Sequence, residues 1–177
     1  FGFTNDSLPS MDDVLKVMKD CGMERLKPSI NIKEDGTFSP SDLLKSNDGV
    51  LPKLNFNAVA QGYSCDLVTD YLHSIGVKDM LVDIGEIRCE GMNPNGIPWN
   101  IAVDRPIDGN MELGADTDGV WVSDGSDCGI VTSGNYRKFY IKDGQKFAHT
   151  IDPRTGTPVD HSLLSATIVA KTGAIAD

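Results

Sequence analysis

The sequence has no long hydrophobic run, no excess of positive charge and no paired-cysteine motif. It contains no stretch of about 18 consecutive apolar residues, so it predicts no membrane-spanning helix. Lysine and arginine number 16 against 26 acidic residues, and the formal net charge is −10. Non-specific nucleic-acid binding requires a basic surface, so this balance argues against a nucleic-acid partner. Carboxylates gathered around a divalent cation would fit the acidic excess, although surface solubility explains most acidic proteins.

The cysteines are few and are not spaced as metal ligands. Cys21, Cys65, Cys89 and Cys128 form no CxxC pair. This spacing argues against a zinc site and favours burial of the thiols as small hydrophobic groups. It neither assigns nor excludes disulfide bonds.

The length and composition are those of one globular domain. The chain has 177 residues, of which 40% are apolar and 24% charged, and a chain of this size can bury a substantial core. It opens at Phe1 without a methionine and ends at Asp177 inside a predicted helix. We therefore expect a single domain over residues 1–177 that is truncated at both ends. No targeting signal is visible, which says nothing about the compartment.

Many short strands and few helices, without regular βαβ alternation, predict an α+β fold with mixed, mostly antiparallel sheets and packed helices. Capping residues and apolar periodicity mark the helices, and Asp-Gly turns mark hairpins. The predicted elements are a helix capped by Ser10 and ending before Gly22, short strands at 29–32 and 50–54, a helix from 58 to 75, strands at 80–86, 99–103, 120–123, 130–132, 139–141, 147–151 and 163–170, and a last helix capped by Thr172.

The predicted helix at 58–75 carries an apolar residue at every fourth position, from Val59 to Ile75. That period predicts an apolar stripe along one helix face. Gly62 lies in the first turns, where glycine costs about 1 kcal/mol relative to alanine. Its presence indicates either the close approach of a ligand or a packing contact with another element, and both interpretations stay open.

The stretch His149–Pro158 places a histidine, an aspartate, an arginine and a threonine within seven residues. Pro153 fixes its own φ and pushes Asp152 into extended geometry. Such a rigid loop could hold site residues, and a histidine there could act as base, acid or ligand. The same residue types also make an ordinary turn. The run Thr132–Arg137 leaves a similar choice, because its backbone N–H groups suit a phosphate but a plain turn is the alternative.

Taken together and in this order, the motifs resemble the ApbE family of FAD:protein FMN transferases. The resemblance covers the chain from about residue 50 to its end and is loose over the first 45 residues. The matching segments are Asn57–Asp66, Val82–Glu86, Gly96–Trp99, Thr132–Arg137, His149–Pro158 and Ser165–Asp177.

The resemblance implies an ApbE-like flavin transferase fold and an enzymatic reaction. Members of this family use Mg²⁺ to transfer FMN from FAD to a threonine hydroxyl of an acceptor flavoprotein, and AMP is released. Two alternatives stay open, namely an FAD pyrophosphatase that yields FMN and AMP, and a non-catalytic FAD-binding protein. The resemblance also implies a lipoprotein at the periplasmic face of a bacterial inner membrane, held by a lipid anchor outside this stretch.

The family pattern assigns roles to individual residues. His149 would be the general base, and the Asp177 carboxylate and the Ala60 carbonyl would bind the metal, with further ligands lying beyond Asp177. Asp152 and Thr155 would shape the loop around the pyrophosphate. The remaining cofactor-binding residues implied by the resemblance are Asn57, Tyr63, Glu86, Thr132, Ser133 and Ile151.

Two positions depart from the family pattern. A single glycine, Gly85, precedes Glu86 where the family has two, which implies either a residue missing from this sequence or a shorter loop with a displaced Glu86. Gln61 stands where the family usually has lysine, and the lost charge implies weaker phosphate binding.

Overall fold

The computed structural model describes residues 9–22, 26–27, 34, 45–46, 53, 55–112 and 114–177. The predicted strands at 29–32 and 50–54 lie outside these residues, apart from Lys53, which is in no regular element. The helices are α1 (Met11–Met18), α2 (Ala60–Ser74) and α3 (Gly173–Ala176). The strands are β1 (Leu26–Lys27), β2 (Lys45–Ser46), β3 (Met80–Asp83), β4 (Ile87–Glu90), β5 (Asn100–Asp104), β6 (Thr117–Val122), β7 (Cys128–Gly134), β8 (Phe139–Lys142), β9 (Gln145–Ala148), β10 (Ile151–Asp152), β11 (Thr157–Pro158) and β12 (Ser165–Ala170).

The chain divides into two compact units. The first comprises Phe1–Asn55 and Ile151–Val159, and the second comprises Phe56–Thr150 and Asp160–Asp177. All the strand pairs of the described residues are antiparallel. The predicted α+β class with antiparallel sheets and packed helices is therefore confirmed.

In the first unit, α1 packs on the turn between β10 and β11. The Ser10 side chain accepts a hydrogen bond from the Asp13 N–H at 3.2 Å, so the predicted cap is confirmed. A Cβ on Gly156 would lie 2.5 Å from Val14 Cγ1 and Met18 Sδ, and the φ of 70° at this position favours glycine.

The second unit is built on a four-stranded sheet in the order β12-β7-β4-β3. Its core contains Cys89, Ile101, Cys128 and Ile130, with Leu81, Ile87, Trp99 and Trp121 packed against them. The predicted burial of cysteine is confirmed for Cys89 and Cys128, and also for Cys65. It is wrong for Cys21, which is exposed.

Strand β4 was not predicted from the sequence. The strand expected over 80–86 ends at Asp83, the chain turns at Gly85 with φ of 97°, and β4 returns antiparallel to β3. The sequence does not reveal β4 because it contains Arg88, a charged residue that is only 7% exposed. Its guanidinium is compensated by Asp66 at 2.8 Å and Asp127 at 2.5 Å, which lie 22 and 39 residues away in sequence.

Helix α2 forms where predicted, but the apolar stripe is not its buried face. Three stripe residues, Tyr63, Leu67 and Tyr71, are 54%, 51% and 64% exposed. The buried residues are small or polar, namely Gly62, Cys65, Asp66 and Thr69. Small side chains on that face allow neighbouring backbone to approach more closely than large apolar ones would.

The remaining elements follow the sequence closely. Strands β8 and β9 pair across Asp143 and Gly144, which both have positive φ, as this two-residue hairpin requires. The strand expected to run to residue 151 ends at Ala148. Thr172 caps α3 as predicted, by accepting a hydrogen bond from the Ile175 N–H at 3.2 Å. Within the described ranges, none of the helices has the length and apolar character needed to cross a membrane.

Candidate active site

The amino-terminal turn of α2 contains Ala60 and is contacted by Asp177, the two predicted metal ligands. The Gly62 N–H donates to the Asp177 carboxylate at 2.9 Å. Val59, the N-cap residue, makes no side-chain capping bond, so Asp177 supplies the acidic group that the positive helix end favours. Gly62 permits the contact, because a Cβ there would lie 2.3 Å from the Gly173 carbonyl oxygen. The structure therefore shows Gly62 in a packing contact between α2 and α3.

The turn at Ile84–Glu86 lies against the same end of α2. The Gln61 side-chain amide donates to the Ile84 carbonyl at 3.2 Å, and the Cys65 thiol donates to the Glu86 carbonyl at 3.0 Å. A Cβ on Gly85 would lie 2.6 Å from Gln61 Nε2. The two departures from the family pattern, Gln61 and the single Gly85, are thus in direct contact.

Glu86 lies beside strand β7 with its carboxylate half-buried. One carboxylate oxygen accepts a hydrogen bond from the Thr132 N–H at 3.3 Å. Burial raises the pKa of Glu86 above its ordinary value, the Thr132 N–H opposes this rise, and the charges of Asp177 and Asp83 add to it. Three acidic residues thus surround this turn with negative charge.

The donor atoms at this end of α2 suit a magnesium ion. Mg²⁺ prefers hard oxygen ligands, and in phosphate-handling sites it takes one or two carboxylates, substrate phosphates and water. Asp177 uses one carboxylate oxygen to accept the hydrogen bond from the Gly62 N–H. The Ala60 carbonyl accepts a hydrogen bond from the Ser64 hydroxyl at 2.7 Å. Among the residues that the structure describes, no three His, Cys, Asp or Glu side chains converge as a ligand set.

His149 follows β9, and its imidazole is oriented by backbone. Nδ1 lies 2.9 Å from the Lys138 carbonyl oxygen, and the His149 N–H donates to the same oxygen at 3.2 Å. A carbonyl can only accept, so Nδ1 carries the proton in this bond and Nε2 is the basic nitrogen of the neutral ring. The side chain is exposed, and a hydroxyl group can therefore reach Nε2.

Besides Glu86, the predicted flavin-binding residues of the second unit lie in the turn before α2, in α2 and in β7. Asn57 is in the turn before α2, and Tyr63 is in the first turns of α2 and more than half exposed. Thr132 and Ser133 belong to β7, opposite Thr167 and Ala166 of β12. The run that begins at Thr132 is therefore a strand end, and the turn starts only after Gly134.

The predicted flavin-binding residues of the first unit, Ile151, Asp152 and Thr155, lie in and beside the β10–β11 hairpin. The Asp152 carboxylate accepts from the Arg154 side chain at 2.7 Å and from the Arg154 N–H at 2.9 Å. Arg154 lowers the pKa of Asp152 to about 2. The Thr155 hydroxyl bonds to that of Thr157 at 2.8 Å. These contacts are those of a hydrogen-bonded turn.

The structure adds a residue that the sequence did not single out. Asp66 was part of a matching motif without an assigned role, and it accepts hydrogen bonds from the Gly173 and Ala174 N–H groups at 2.7 and 2.9 Å. A usable signal was present, because an acid at 66 falls on the same helix face as the small residues Gly62 and Thr69.

Comparison with known proteins gives consistent results. The whole chain, residues 1–177, matches the ApbE family. The FAD:protein FMN transferase of Vibrio cholerae is 37% identical over 130 residues, which are 72% of this chain and 37% of that protein. That of Haemophilus influenzae is 34% identical over 159 residues, which are 88% of this chain and 42% of that protein.

Solved structures agree with the sequence relatives. The apo flavinyl transferase ApbE of Pseudomonas stutzeri matches with a TM-score of 0.71 and 33% identity, over 97% of this chain and 47% of that one. The flavin transferase ApbE of Vibrio cholerae matches with a TM-score of 0.69 and 29% identity, over 98% of this chain and 49% of that one. The chain thus spans about half the length of these relatives or less. On its motifs, its fold and these matches, this chain belongs to the ApbE family.

Proposed function

We propose that the protein transfers FMN from FAD to a threonine hydroxyl of an acceptor flavoprotein, with Mg²⁺ as cofactor and AMP as the second product. The observation that carries this proposal is the Asp177 carboxylate bound to the Gly62 N–H at the start of α2. It holds a carboxylate, the kind of oxygen ligand that Mg²⁺ prefers, at the positive end of a helix. The relatives named FAD:protein FMN transferase support the same reaction.

The chemistry proposed is the breaking of the FAD pyrophosphate. The acceptor threonine oxygen bonds to the FMN phosphorus, the bond from that phosphorus to the bridging oxygen breaks, and AMP leaves with that oxygen. Magnesium would neutralise the negative charge that develops on the phosphates. Asp177 and the Ala60 carbonyl would hold the metal, and the carboxylate is fixed in place by Gly62.

His149 is the proposed general base. Its Nδ1–H is held by the Lys138 carbonyl, so Nε2 is left to take the proton from the threonine hydroxyl. The exposure of the imidazole favours an acceptor that arrives from outside, such as a protein segment.

The flavin itself is assigned to the residues that the family pattern implies. In the second unit these are Asn57, Tyr63, Glu86, Thr132 and Ser133. For Ile151, Asp152 and Thr155 of the first unit, a role in flavin binding stays a prediction of the family resemblance. We also assign the protein to the periplasmic face of a bacterial inner membrane, as a lipoprotein anchored outside this stretch.

The deciding experiment uses the full-length protein with FAD, MgCl₂ and a threonine-containing acceptor peptide. Mass spectrometry would detect FMN on the peptide, and chromatography would detect AMP. Labelled peptide together with AMP supports the proposal, and loss of both with excess EDTA supports the metal. Free FMN and AMP without labelled peptide would indicate a pyrophosphatase, and bound but intact FAD would indicate a non-catalytic flavin-binding protein.

A further inference from the structure

Asp66 is the most heavily bonded carboxylate in the second unit. It is 8% exposed and lies in the middle of α2. One oxygen accepts from the Gly173 N–H at 2.7 Å and from Arg88 Nη1 at 2.8 Å, and the other accepts from the Ala174 N–H at 2.9 Å. Both oxygens are therefore committed to the first turn of α3.

The start of α3 is held by hydrogen bonds from outside the helix and by its N-cap residue. Its first turn is bonded to Asp66 and to the Thr172 hydroxyl, and its C-cap residue is Asp177. The place of the Asp177 carboxylate is consequently set by whatever holds the start of α3.

Two carboxylates cross between α2 and α3 in opposite directions. Asp66 of α2 binds the N–H groups of α3, and Asp177 at the end of α3 binds the Gly62 N–H of α2. Gly62 precedes Asp66 by four residues, so both contacts lie on one face of α2. The Gly62–Gly173 contact allows no Cβ on either residue, because each Cβ would lie 2.3 Å from the other residue's carbonyl oxygen.

The buried charge of Asp66 is balanced by Arg88. Hydrogen bonds to Asp127, and to a smaller extent Asp66, raise the pKa of Arg88, so the guanidinium stays charged. Buried ion pairs of this kind contribute little net stability, because desolvation offsets their attraction, but they can fix one arrangement. Asp127 shares Arg88 with Asp66 but makes no hydrogen bond to α3.

We propose that Asp66 is a positioning residue that sets the Asp177 carboxylate against the first turn of α2 and thereby sets the affinity of the site for Mg²⁺. The metal part of this inference rests on the proposed function. The structural part, the control of the Asp177–Gly62 contact by Asp66, does not.

The test compares Asp66→Asn with Asp127→Asn in the full-length protein. Asparagine at 66 keeps one acceptor oxygen and loses the acceptor for the second N–H of α3. Without metal or FAD, amide hydrogen exchange at Gly62 should become at least about tenfold faster in Asp66→Asn and stay within about twofold in Asp127→Asn. With FAD and acceptor present, Asp66→Asn should raise the MgCl₂ concentration for half-maximal rate about 10- to 100-fold, which is the usual effect of losing a group that orients a metal ligand. The kcat of this variant at saturating MgCl₂ should change little.

Three results would overturn the inference. One is unchanged exchange at Gly62 in Asp66→Asn, and another is an equal effect in Asp127→Asn, which would indicate general loss of the Arg88 network. The third is an unchanged MgCl₂ requirement in Asp66→Asn when the wild-type protein shows one. If the wild-type protein transfers no FMN, the proposed function fails, whereas the exchange comparison still decides the structural part.

A milder variant covers the case in which Asp66→Asn does not fold. Thr172→Ala removes the other cap of α3, the bond from the Ile175 N–H. Faster exchange at Gly62 in this variant would support control through α3. Unchanged exchange would overturn it.

Discussion

Replacing Gly62 with alanine tests the close contact between α2 and α3. The added Cβ would lie 2.3 Å from the Gly173 carbonyl oxygen, 2.5 Å from its carbonyl carbon and 2.8 Å from the Asp177 Cβ. Ordinary contacts lie at about 3.5 Å, so the backbone of α3 would have to move. Two of the three atoms are backbone, and rotation of a side chain cannot relieve the clash.

Two opposing effects set the magnitude. Alanine in place of glycine inside a helix gains about 1 kcal/mol of propensity. Overpacking of a tight contact costs about 1–3 kcal/mol, and more where backbone must shift. We therefore expect Gly62→Ala to lower the free energy of unfolding by up to about 2 kcal/mol. With an m-value of about 2 kcal/mol/M, the urea midpoint would fall by as much as about 1 M.

A matched control separates sterics from propensity. Gly119 in β6 has nothing within 4 Å of an added Cβ and does not have positive φ, so Gly119→Ala should change stability by less than about 1 kcal/mol. Both variants would be compared by urea unfolding followed by circular dichroism. A midpoint for Gly62→Ala at or above that of the wild type would refute the contact, because propensity alone would then decide the outcome.

Three further predictions follow from burial and charge. Of the four thiols, only exposed Cys21 should react quickly with a thiol reagent in the native protein, and all four should react in urea; rapid reaction of a second thiol would contradict the buried core. Glu86→Gln should stabilise the metal-free protein at pH 7 by less than about 1 kcal/mol, because a raised pKa means that ionised Glu86 disfavours the folded state. Near pH 4 the substitution should have little effect on stability. Equal effects at the two pH values would show that the change does not arise from titration of Glu86. His149→Ala should reduce the rate of FMN transfer about 10²-fold or more without loss of FAD binding. The control His161→Ala, at another exposed histidine, should leave the rate of FMN transfer unchanged. An unchanged rate in His149→Ala would show that His149 is not the general base.

Capping residues and turn residues correctly predicted the helix starts and the hairpin, which depend on contacts between residues close in sequence. Ser10 and Thr172 cap helices, and Asp143-Gly144 makes a hairpin, because each acts on atoms within three residues. The strand at Arg88 could not be predicted in the same way. An isolated arginine disfavours a buried strand, and its compensation by Asp66 and Asp127 exists only in the folded chain.

The buried face of α2 shows the same limit. Apolar spacing indicates a helix, but it selects the core face correctly only when that face packs through large side chains. Here α2 packs through Gly62, Cys65, Asp66 and Thr69, and Tyr63 and its stripe neighbours stay exposed. Close backbone contact and carboxylate capping took the place of apolar packing, and neither has a hydropathy signal.

The sequence by itself determined the family, the fold class and the residues proposed for chemistry. These follow from motifs whose order and spacing can be read directly from the linear sequence. Only the tertiary structure decided that Asp177 meets the first turn of α2, that Glu86 lies beside Thr132, and that Gln61 contacts Gly85. Gly62 and Asp177 are 115 residues apart, and their contact depends on where α3 packs. Position across such a distance follows from packing and long-range hydrogen bonds, which local propensities do not encode.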